Sequence, residues 1–388
     1  MKRNRKYRLY SWIFFTATFT PLILVGLLNL IINPYGAFTV PDIPGVSHKK
    51  SRKENNDRLY KAIDITRIKP ITILLGSSRT KQGLDPDNPR LAQYQPVYNS
   101  AIDAPNTYEL RRYLEHALAN QNQLKTVIVG IDFLMFNKNL KNQSSFLDNR
   151  LGKRHILIQD AINVIFSLDA LLASQETITE SKNSSYKANN TNRNGFVPDS
   201  KDNDDTIKSQ FNTSINFYSR IYSHYEFSEE YLNDFKNIVE ICNKNNIELK
   251  VFISPSHATQ WETIYIAEKW DTFERWKREV VKVIPLWDFS GYNSVTSEEI
   301  KEDMDNYRDS SHYTKSIGDL IINRIFSYQQ EQVPKDFGIL LTPQNIELHL
   351  AEIRSQQKVW RKENPEEVEM VKEIKESVTS QLETDVVP

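Results

Sequence analysis

Cysteine is almost absent from this chain, because only Cys242 among its 388 residues carries a thiol. A lone cysteine excludes an internal disulfide and a zinc site built from cysteines, and this scarcity suits an oxidising compartment outside the cytoplasm. The sequence also has no glycine-rich phosphate loop and no spacing typical of metal ligands. We therefore expect neither a cofactor nor a metal ion.

An excess of positive charge is missing as well. The chain contains 49 basic and 50 acidic residues, and its formal net charge is -1 at pH 7. Binding to nucleic acid depends on basic side chains that neutralise phosphates, and here the densest cluster of such side chains lies in the first eight residues. Because a membrane anchor explains that cluster, no nucleic-acid partner is expected.

Charge of either sign is absent from residues 9–32. About 20 apolar residues cross the hydrocarbon core of a bilayer, and a basic flank such as residues 1–8 stays in the cytoplasm. We expect residues 9–32 to be a single-pass anchor in the cytoplasmic (inner) membrane, with the N-terminus inside and the main domain periplasmic or extracellular. A cleaved signal peptide is the alternative, but its apolar region would be shorter and would end at a small-x-small site.

Beyond the anchor, residues 33–57 mix Pro, Ser, Lys and Asn without periodicity, which indicates a linker. Short apolar runs follow, and they are typical of strands buried on both faces of a parallel sheet. The predicted strands are residues 71–75, 126–131, 249–253 and 284–287, and the predicted helices between them are residues 106–120, 228–245 and 259–281. This alternation predicts an α/β fold with a doubly wound parallel sheet, whose ligands bind beyond the carboxyl ends of the strands.

Two segments depart from the alternation. Residues 147–227 begin with an amphipathic helix, predicted over 156–174, and continue into a Ser-, Asn- and Asp-rich stretch, 181–205. We interpret them as an inserted flap followed by a disordered loop. Residues 336–388 are predicted to be a Glu- and Lys-rich helical tail that Pro365 breaks in two. A solvated appendage without chemistry is expected there.

Two motifs carry groups suited to acyl transfer. A small-residue turn, Gly76-Ser77-Ser78, follows the first predicted strand, and it would present a hydroxyl and a free backbone amide at the start of a helix. Near the end of the domain, Asp309 lies three residues before His312 on a loop, a spacing at which the carboxylate can orient the imidazole. Each motif alone also fits a helix cap. Together they form a candidate triad.

Both motifs resemble sequence blocks of the SGNH (GDSL-type) hydrolases. The apolar strand and small-residue turn that end at Ser78 are similar to the first block, and Asp309-x-x-His312 is similar to the last. The resemblance implies that Ser78 is the nucleophile, that His312 is the base and that Asp309 orients the base. It also implies a flavodoxin-like doubly wound parallel sheet of SGNH type over residues 58–335.

Two further segments resemble the remaining blocks, each with one departure. Residues 98–103 are similar to the second block, but Ala101 stands where a glycine supplies an oxyanion-hole amide. Residues 129–133 are similar to the third block, but Asp132 replaces an asparagine. An alanine amide still donates if its φ is negative, whereas an ionised carboxylate accepts hydrogen bonds and repels an oxyanion. Asp132 is therefore protonated or directed elsewhere, or the site is catalytically weak.

Two other side chains are candidates for substrate contact. Arg79 follows the predicted nucleophile, and it would hold an acyl donor or a polymer carboxylate, with a surface salt bridge as the alternative. His257 follows a predicted strand, so it would contact substrate, serve the structure of its loop or replace His312 as the base. The first two roles are favoured, since no acidic residue is spaced to orient His257.

The anchor and the variant motifs together resemble the extracytoplasmic SGNH-like proteins of polysaccharide O-acetylation and the D-alanyl-transfer proteins of the cell envelope. This resemblance implies a serine O-acyltransferase or esterase that acts on an envelope or exported polysaccharide, with a multi-span membrane O-acyltransferase as acyl donor. Only roughly 45 residues separate the anchor from Ser78, which keeps the domain near the bilayer. The alternative is a catalytically inactive SGNH-fold module that binds glycan or the membrane acyltransferase.

Overall fold

The computed structural model describes residues 2–184, 194–198 and 206–384, and it has an α/β architecture. The strands are β1 (Thr72–Leu75), β2 (Val97–Asn99), β3 (Thr126–Ile131), β4 (Glu248–Ile253), β5 (Leu286–Asp288) and β6 (Ile339–Leu341). The helices are α1 (Lys2–Ile32), α2 (Ser51–Glu54), α3 (Asp57–Ile68), α4 (Ser78–Gly83), α5 (Thr107–Asn120), α6 (Ile158–Phe166), α7 (Leu168–Asn183), α8 (Ile207–Ser223), α9 (Glu229–Lys244), α10 (Ala258–Ile266), α11 (Trp270–Val283), α12 (Lys315–Ile325), α13 (Ile346–Glu363) and α14 (Pro365–Thr384).

The chain divides into two compact units. The first consists of Met1–Arg67 and Ser145–Asn190, and the second of Ile68–Ser144 and Thr191–Pro388. The expected insertion over 147–227 is therefore wrong as a single element, because its first part belongs to the unit with α1 whereas α8 belongs to the unit with the sheet. Most of α3, which was expected to open the sheet domain at residue 58, also belongs to the first unit.

In the first unit, α1 is an unbroken helix that includes Pro21. Within the described residues it is the one helix long and apolar enough to cross a membrane, over Lys6–Ile32. The side chains of residues 6–24 are all exposed, and packing against other helices begins only at Val25. The prediction of one apolar N-terminal helix of membrane-spanning length is confirmed.

Residues 33–57, the expected linker, belong to the first unit, and part of the segment is buried there. Ala37 forms a small core with Leu59 and Val164, and partly buried side chains, among them Tyr35 and Phe38, pack against it. The residues between α1 and α2 were misassigned because their apolar side chains are few and are buried by helices that lie distant in sequence.

The helix predicted over residues 156–174 is two helices, α6 and α7, which meet at Ser167. The Ser167 hydroxyl accepts a hydrogen bond from the Ala170 amide at 3.0 Å and so caps α7. The predicted disordered loop over 181–205 lies mostly outside the described residues. In its described part, α7 extends to Asn183, and Phe196 is buried, which contradicts the expectation of a stretch with almost nothing to bury.

The second unit is built on one six-stranded sheet in the order β2-β1-β3-β4-β5-β6. The strands from β1 to β5 pair in parallel and β6 is antiparallel to β5. Strands β1 and β3 are buried along their whole length, as expected for apolar runs covered by helices on both faces. The predicted α/β class with a mainly parallel sheet is confirmed.

The short strands β2 and β6 were not predicted. Each contains three residues, too few for a periodic pattern, and Tyr98 in β2 is recognisable as a strand residue only through its pairing with Ile73 of β1. The helix predicted over 259–281 is also two helices, α10 and α11, separated near Glu268, which has a positive φ of 59°.

The C-terminal segment is part of the fold, which corrects the expected solvated tail over 336–388. Strand β6 completes the sheet, and α13 and α14 bury apolar side chains that include Leu350, Trp360 and Val371. A buried carboxylate fixes α13: Asp288 at the end of β5 accepts hydrogen bonds from Lys277 Nζ at 2.6 Å and from His349 Nε2 at 2.8 Å.

Two glycines let α4 and α12 approach each other closely. A Cβ on Gly318 would lie 1.8 Å from the Gly83 carbonyl oxygen, and a Cβ on Gly83 would lie 1.9 Å from the Tyr313 ring. A larger residue at position 318 would require the backbone of α4 or α12 to move, and one at position 83 would displace the buried Tyr313 ring. Because α4 begins at Ser78 and α12 follows His312, this contact sets the separation of the two motifs.

We predict that Gly318→Ala destabilises the protein by about 3 kcal/mol, since the new methyl group overlaps backbone rather than a flexible side chain. Thermal or denaturant unfolding of the detergent-solubilised full chain measures the change. The matched control is Ser316→Ala, which alters an exposed position of the same helix. Equal stability of the two variants would contradict the role assigned to the close approach.

Candidate functional site

The candidate site lies at the carboxyl edge of the sheet, beside β1 and β3. The strand order reverses here, because β2 lies on one side of β1 and β3 on the other. In open α/β sheets, crevices form at such reversals. Ser78 directly follows β1, and Asp132 follows β3.

Ser78 is the first residue of α4, and its turn is held by the preceding serine. Ser77 is the N-cap residue: its hydroxyl accepts a hydrogen bond from the Arg79 amide at 3.4 Å and donates one to Asp132 Oδ2 at 2.7 Å. At this first position of the helix, the Ser78 amide has no acceptor within the helix and is available to an anion.

His312 bridges Ser78 and Asp309. Its Nε2 lies 2.8 Å from Ser78 Oγ, and its Nδ1 lies 2.7 Å from Asp309 Oδ2. The second oxygen of Asp309 accepts the amides of Ser311 at 2.6 Å and of His312 itself at 2.8 Å. The structure thus places the three predicted triad residues in one hydrogen-bonded array, with the tautomer that Asp309 favours leaving Nε2 to accept from Ser78.

The charges of the array shift the pKa values of both ionisable members. Burial alone would raise the pKa of Asp309, but His312 and the two backbone amides outweigh it, so the net shift is downward. Burial alone would lower the pKa of His312, but the Asp309 carboxylate outweighs it, so the net shift is upward. Asp309 therefore stays ionised, and the imidazole is a stronger base than a free histidine.

Arg79 does not reach the cavity, so its predicted contact with a donor or polymer is wrong, as is the surface salt bridge. Its side chain is 3% exposed. Nε donates to Ser311 Oγ at 3.0 Å, and the guanidinium lies over the Tyr218 ring. Its positive charge instead lies 4.0 Å from Asp132, where it offsets the negative charge of that carboxylate.

Asp132 lines the cavity, and one of its two carboxylate oxygens accepts a hydrogen bond. Oδ2 accepts the Ser77 hydroxyl, whereas Oδ1 is buried and has no hydrogen-bond partner among the described residues. The carboxylate therefore supports the turn that carries Ser78. The sequence left three alternatives, a protonated Asp132, an Asp132 directed elsewhere and a catalytically weak site; the hydrogen bond from the Ser77 hydroxyl directs Oδ2 toward the Ser78 turn.

Ala101 was predicted to supply an oxyanion-hole amide, and this is wrong. The Ala101 amide donates to Asn99 Oδ1 at 3.1 Å, and the residue is fully buried. The neighbouring amides of Ser100 and Ile102 donate to carbonyl oxygens of Leu74 and Gly76. Of the two amides predicted to bind the oxyanion, those of Ser78 and Ala101, only the Ser78 amide remains as a candidate donor.

His257 lies buried in the turn before α10, away from the residues that line the cavity, so neither contact with substrate nor a role as base fits its position. It caps α10, with Nδ1 2.9 Å from Thr259 Oγ1 and Nε2 2.7 Å from the Glu298 carbonyl oxygen. Burial lowers the pKa of His257 to about 4. Both ring nitrogens are occupied, and the side chain is 1% exposed.

A cavity of about 580 Å³ opens onto the Ser78 hydroxyl and His312. Sequence reasoning missed one of its walls, which α8 supplies with residues at positions i, i+3, i+4, i+7 and i+8 of one helical face. These residues are Gln210, Thr213, Ser214, Phe217 and Tyr218. Their helical spacing was a usable signal, but the segment had been assigned to an insertion. Gln82, Asp103 and Arg308 also line the cavity.

Within residues 2–184, 194–198 and 206–384, no group of three or more His, Cys, Asp or Glu side chains is arranged to hold a metal ion. Comparison with protein-family models and with curated protein sequences found no match for this chain. The structure itself defines the class of protein. It is an α/β protein with a Ser–His–Asp array at the carboxyl edge of a mainly parallel sheet.

The raised pKa of His312 predicts a pH profile. Reaction of Ser78 with a fluorophosphonate probe requires neutral His312, so its rate should rise with pH through a midpoint above about 6.5, the ordinary histidine value. Asp309→Asn removes the charge that raises this pKa. It should move the midpoint to lower pH and slow the reaction on the order of 10³-fold or more. The measurement is the labelling rate between pH 5 and 9.

His257→Gln is the control for this experiment. The pKa of His257 is lowered to about 4, so His257 stays neutral between pH 5 and 9 and does not contribute to the profile. Its labelling midpoint should match that of the parent protein. A midpoint that Asp309→Asn leaves unchanged would contradict the assignment of His312 as the base.

Proposed function

We propose that this chain is a membrane-anchored serine O-acyltransferase or esterase of the SGNH type, acting outside the cytoplasm on an envelope or exported polysaccharide. The observation that carries the proposal is the array Ser78–His312–Asp309, with distances of 2.8 and 2.7 Å, open to a cavity. Hydrogen-bond contact between nucleophile, base and orienting acid is the geometry that nucleophilic acyl transfer needs.

The topology gives further support. The parallel strand order β2-β1-β3-β4-β5 is the order of flavodoxin-like sheets, which bind ligands where the order reverses. The array occupies that position. The apolar helix α1 supports anchoring to the cytoplasmic membrane, and the basic segment 1–8 supports an N-terminus inside.

In the proposed reaction, His312 Nε2 takes the hydroxyl proton as Ser78 Oγ attacks the carbonyl carbon of an acyl ester. The amide of Ser78 stabilises the oxyanion, the carbonyl–alkoxide bond breaks, and the leaving alcohol takes the proton from His312. A hydroxyl of the acceptor sugar then gives its proton to His312 and attacks the acyl-serine; the bond between the acyl carbon and Ser78 Oγ breaks, and Oγ takes the proton from His312. Water in place of the sugar gives hydrolysis. A multi-span membrane O-acyltransferase is the proposed source of the acyl group.

A catalytically inactive SGNH-fold module that binds glycan or the membrane acyltransferase is the second candidate. Two observations favour it: the Ala101 amide is already bonded within the protein, and Asp132 places a carboxylate where a donor would help. Against it, Arg79 offsets the charge of Asp132, and Ser78 and His312 keep their contact.

Fluorophosphonate labelling separates the two candidates. The detergent-solubilised full chain should be labelled and should hydrolyse p-nitrophenyl acetate, and Ser78→Ala should abolish both activities because it removes the attacking oxygen. Ser316→Ala, which removes an exposed hydroxyl, should retain both. Absence of labelling in the parent protein, or labelling that survives Ser78→Ala, sinks the acyl-transfer proposal. Formation of acylated oligosaccharide, detected by mass spectrometry, distinguishes transfer from hydrolysis.

Replacing the carboxylate of Asp132 tests the electrostatics of the site. Asp132→Asn keeps an oxygen for the Ser77 hydroxyl and adds a donor at the cavity, so the labelling rate should rise on the order of tenfold. Asp303→Asn makes the same change at an exposed position and should have no effect. A slower reaction of Asp132→Asn would mean that the negative charge itself is required.

A further inference from the structure

The first unit carries an apolar surface beside α1. Helices α6 and α7 form a hairpin that turns at Ser167, and the large apolar side chains around this turn point outward. The exposed fractions are 79% for Ile158, 53% for Ile162, 49% for Phe166, 78% for Leu168 and 59% for Leu172. Asp169 is the one exposed charged side chain between Ile158 and Leu172. A cluster this large on a water-facing surface signals an interaction site.

The hairpin turn packs against the part of α1 that crosses a bilayer. A Cβ on Gly26 would lie 2.6 Å from Phe166, so the aromatic ring rests on the backbone of α1 at that residue. Gly26 follows the start of the uncharged run by 17 residues, which places it about 25 Å along the helix axis. A hydrocarbon core is about 30 Å thick. If it begins at residue 9, Gly26 and Phe166 lie within the core, close to the boundary farther from the N-terminus.

Three polar side chains at the turn, Asn29, Ser167 and Ser174, are bonded within the protein, as lipid requires. Asn29 of α1 is fully buried; its Nδ2 donates to the Ile165 carbonyl oxygen, and its Oδ1 accepts the Ser174 hydroxyl, both at 2.8 Å. Ser167 accepts the Ala170 amide at 3.0 Å. Irregular backbone is tolerated at membrane depth only where such partners exist.

The exposed face of α7 changes character along its length. Leu168 and Leu172 are followed on the same face by the exposed polar residues Gln175 and Thr179, one and two turns further on. At that end Arg52 pairs with Glu176 at 2.6 Å, a contact suited to water or lipid headgroups. The hairpin is therefore apolar only near its turn.

We propose that the turn between α6 and α7 inserts into the outer leaflet of the bilayer next to α1, as a second membrane contact of the protein. The occupant of the apolar face is lipid, because Phe166 of this face rests on α1 at Gly26, directly after the exposed residues 6–24 of the same helix. Asp169 at the start of α7 keeps the turn near the headgroup boundary. The inference rests on the proposed membrane anchoring by α1 and is independent of the chemistry at Ser78.

Depth-dependent quenching tests the proposal. The full chain with Cys242→Ala receives single cysteines, labelled with the fluorophore NBD, in phosphatidylcholine nanodiscs with and without a lipid that carries a doxyl quencher on its acyl chain. Leu168→Cys and Leu172→Cys report on the hairpin, Gln175→Cys is the matched polar control, and Leu24→Cys reports on α1. All four positions are exposed, so the substitutions leave the core intact.

Labels at Leu168, Leu172 and Leu24 should lose most of their fluorescence to the doxyl lipid, whereas the label at Gln175 should lose little. Quenching at Leu24 without quenching at Leu168 and Leu172 overturns the inference and leaves the anchor standing. No quenching at Leu24 removes the anchor and the inference with it. A blue-shifted emission at Leu168 without doxyl quenching means that protein, not lipid, covers the face, and this too overturns the proposal.

Discussion

The candidate site depends on one steric constraint, the contact of α4 and α12 at Gly83 and Gly318. Backbone meets backbone here, with a gap that excludes even a methyl group. Since interiors are close-packed, such a contact restricts how far apart the two helices can lie. The hydrogen bond of Ser78 and His312, which are 234 residues apart in sequence, exists because this separation is fixed.

Charge is arranged around the site in two layers. Asp309 touches His312 directly and strengthens it as a base, whereas Arg79 and Asp132 form a buried pair behind the Ser78 turn. In the second layer, the Arg79 guanidinium lies 4.0 Å from the Asp132 carboxylate. The structural effect of this layer is through Ser77, whose hydroxyl links Asp132 to the start of α4.

The class of fold was predictable because long apolar runs are buried on both faces, and β3 matches its predicted range of 126–131. The short strands β2 and β6 and the buried part of segment 33–57 were not predictable from the sequence, because their assignment depends on partners distant in sequence. The spacing of Asp309 and His312 on one loop was a sufficient local signal. The amide of Ala101 was misassigned since its acceptor, the side chain of Asn99, competes within the same short turn. The wall formed by α8 was missed because residues 147–227 were interpreted as one insertion, whereas α8 belongs to the unit with the sheet.

The order of the strands has a consequence for synthesis. After β1 and β2 have paired, β3, β4, β5 and β6 each join the same edge of the sheet in the order in which they leave the ribosome. Strand β3 pairs with the free side of β1. No strand has to be inserted between two strands that are already paired. The growing edge stays open until β6, a short antiparallel strand, ends it. An unfinished chain therefore exposes a parallel edge, and the last fifty or so residues protect it from pairing with other chains.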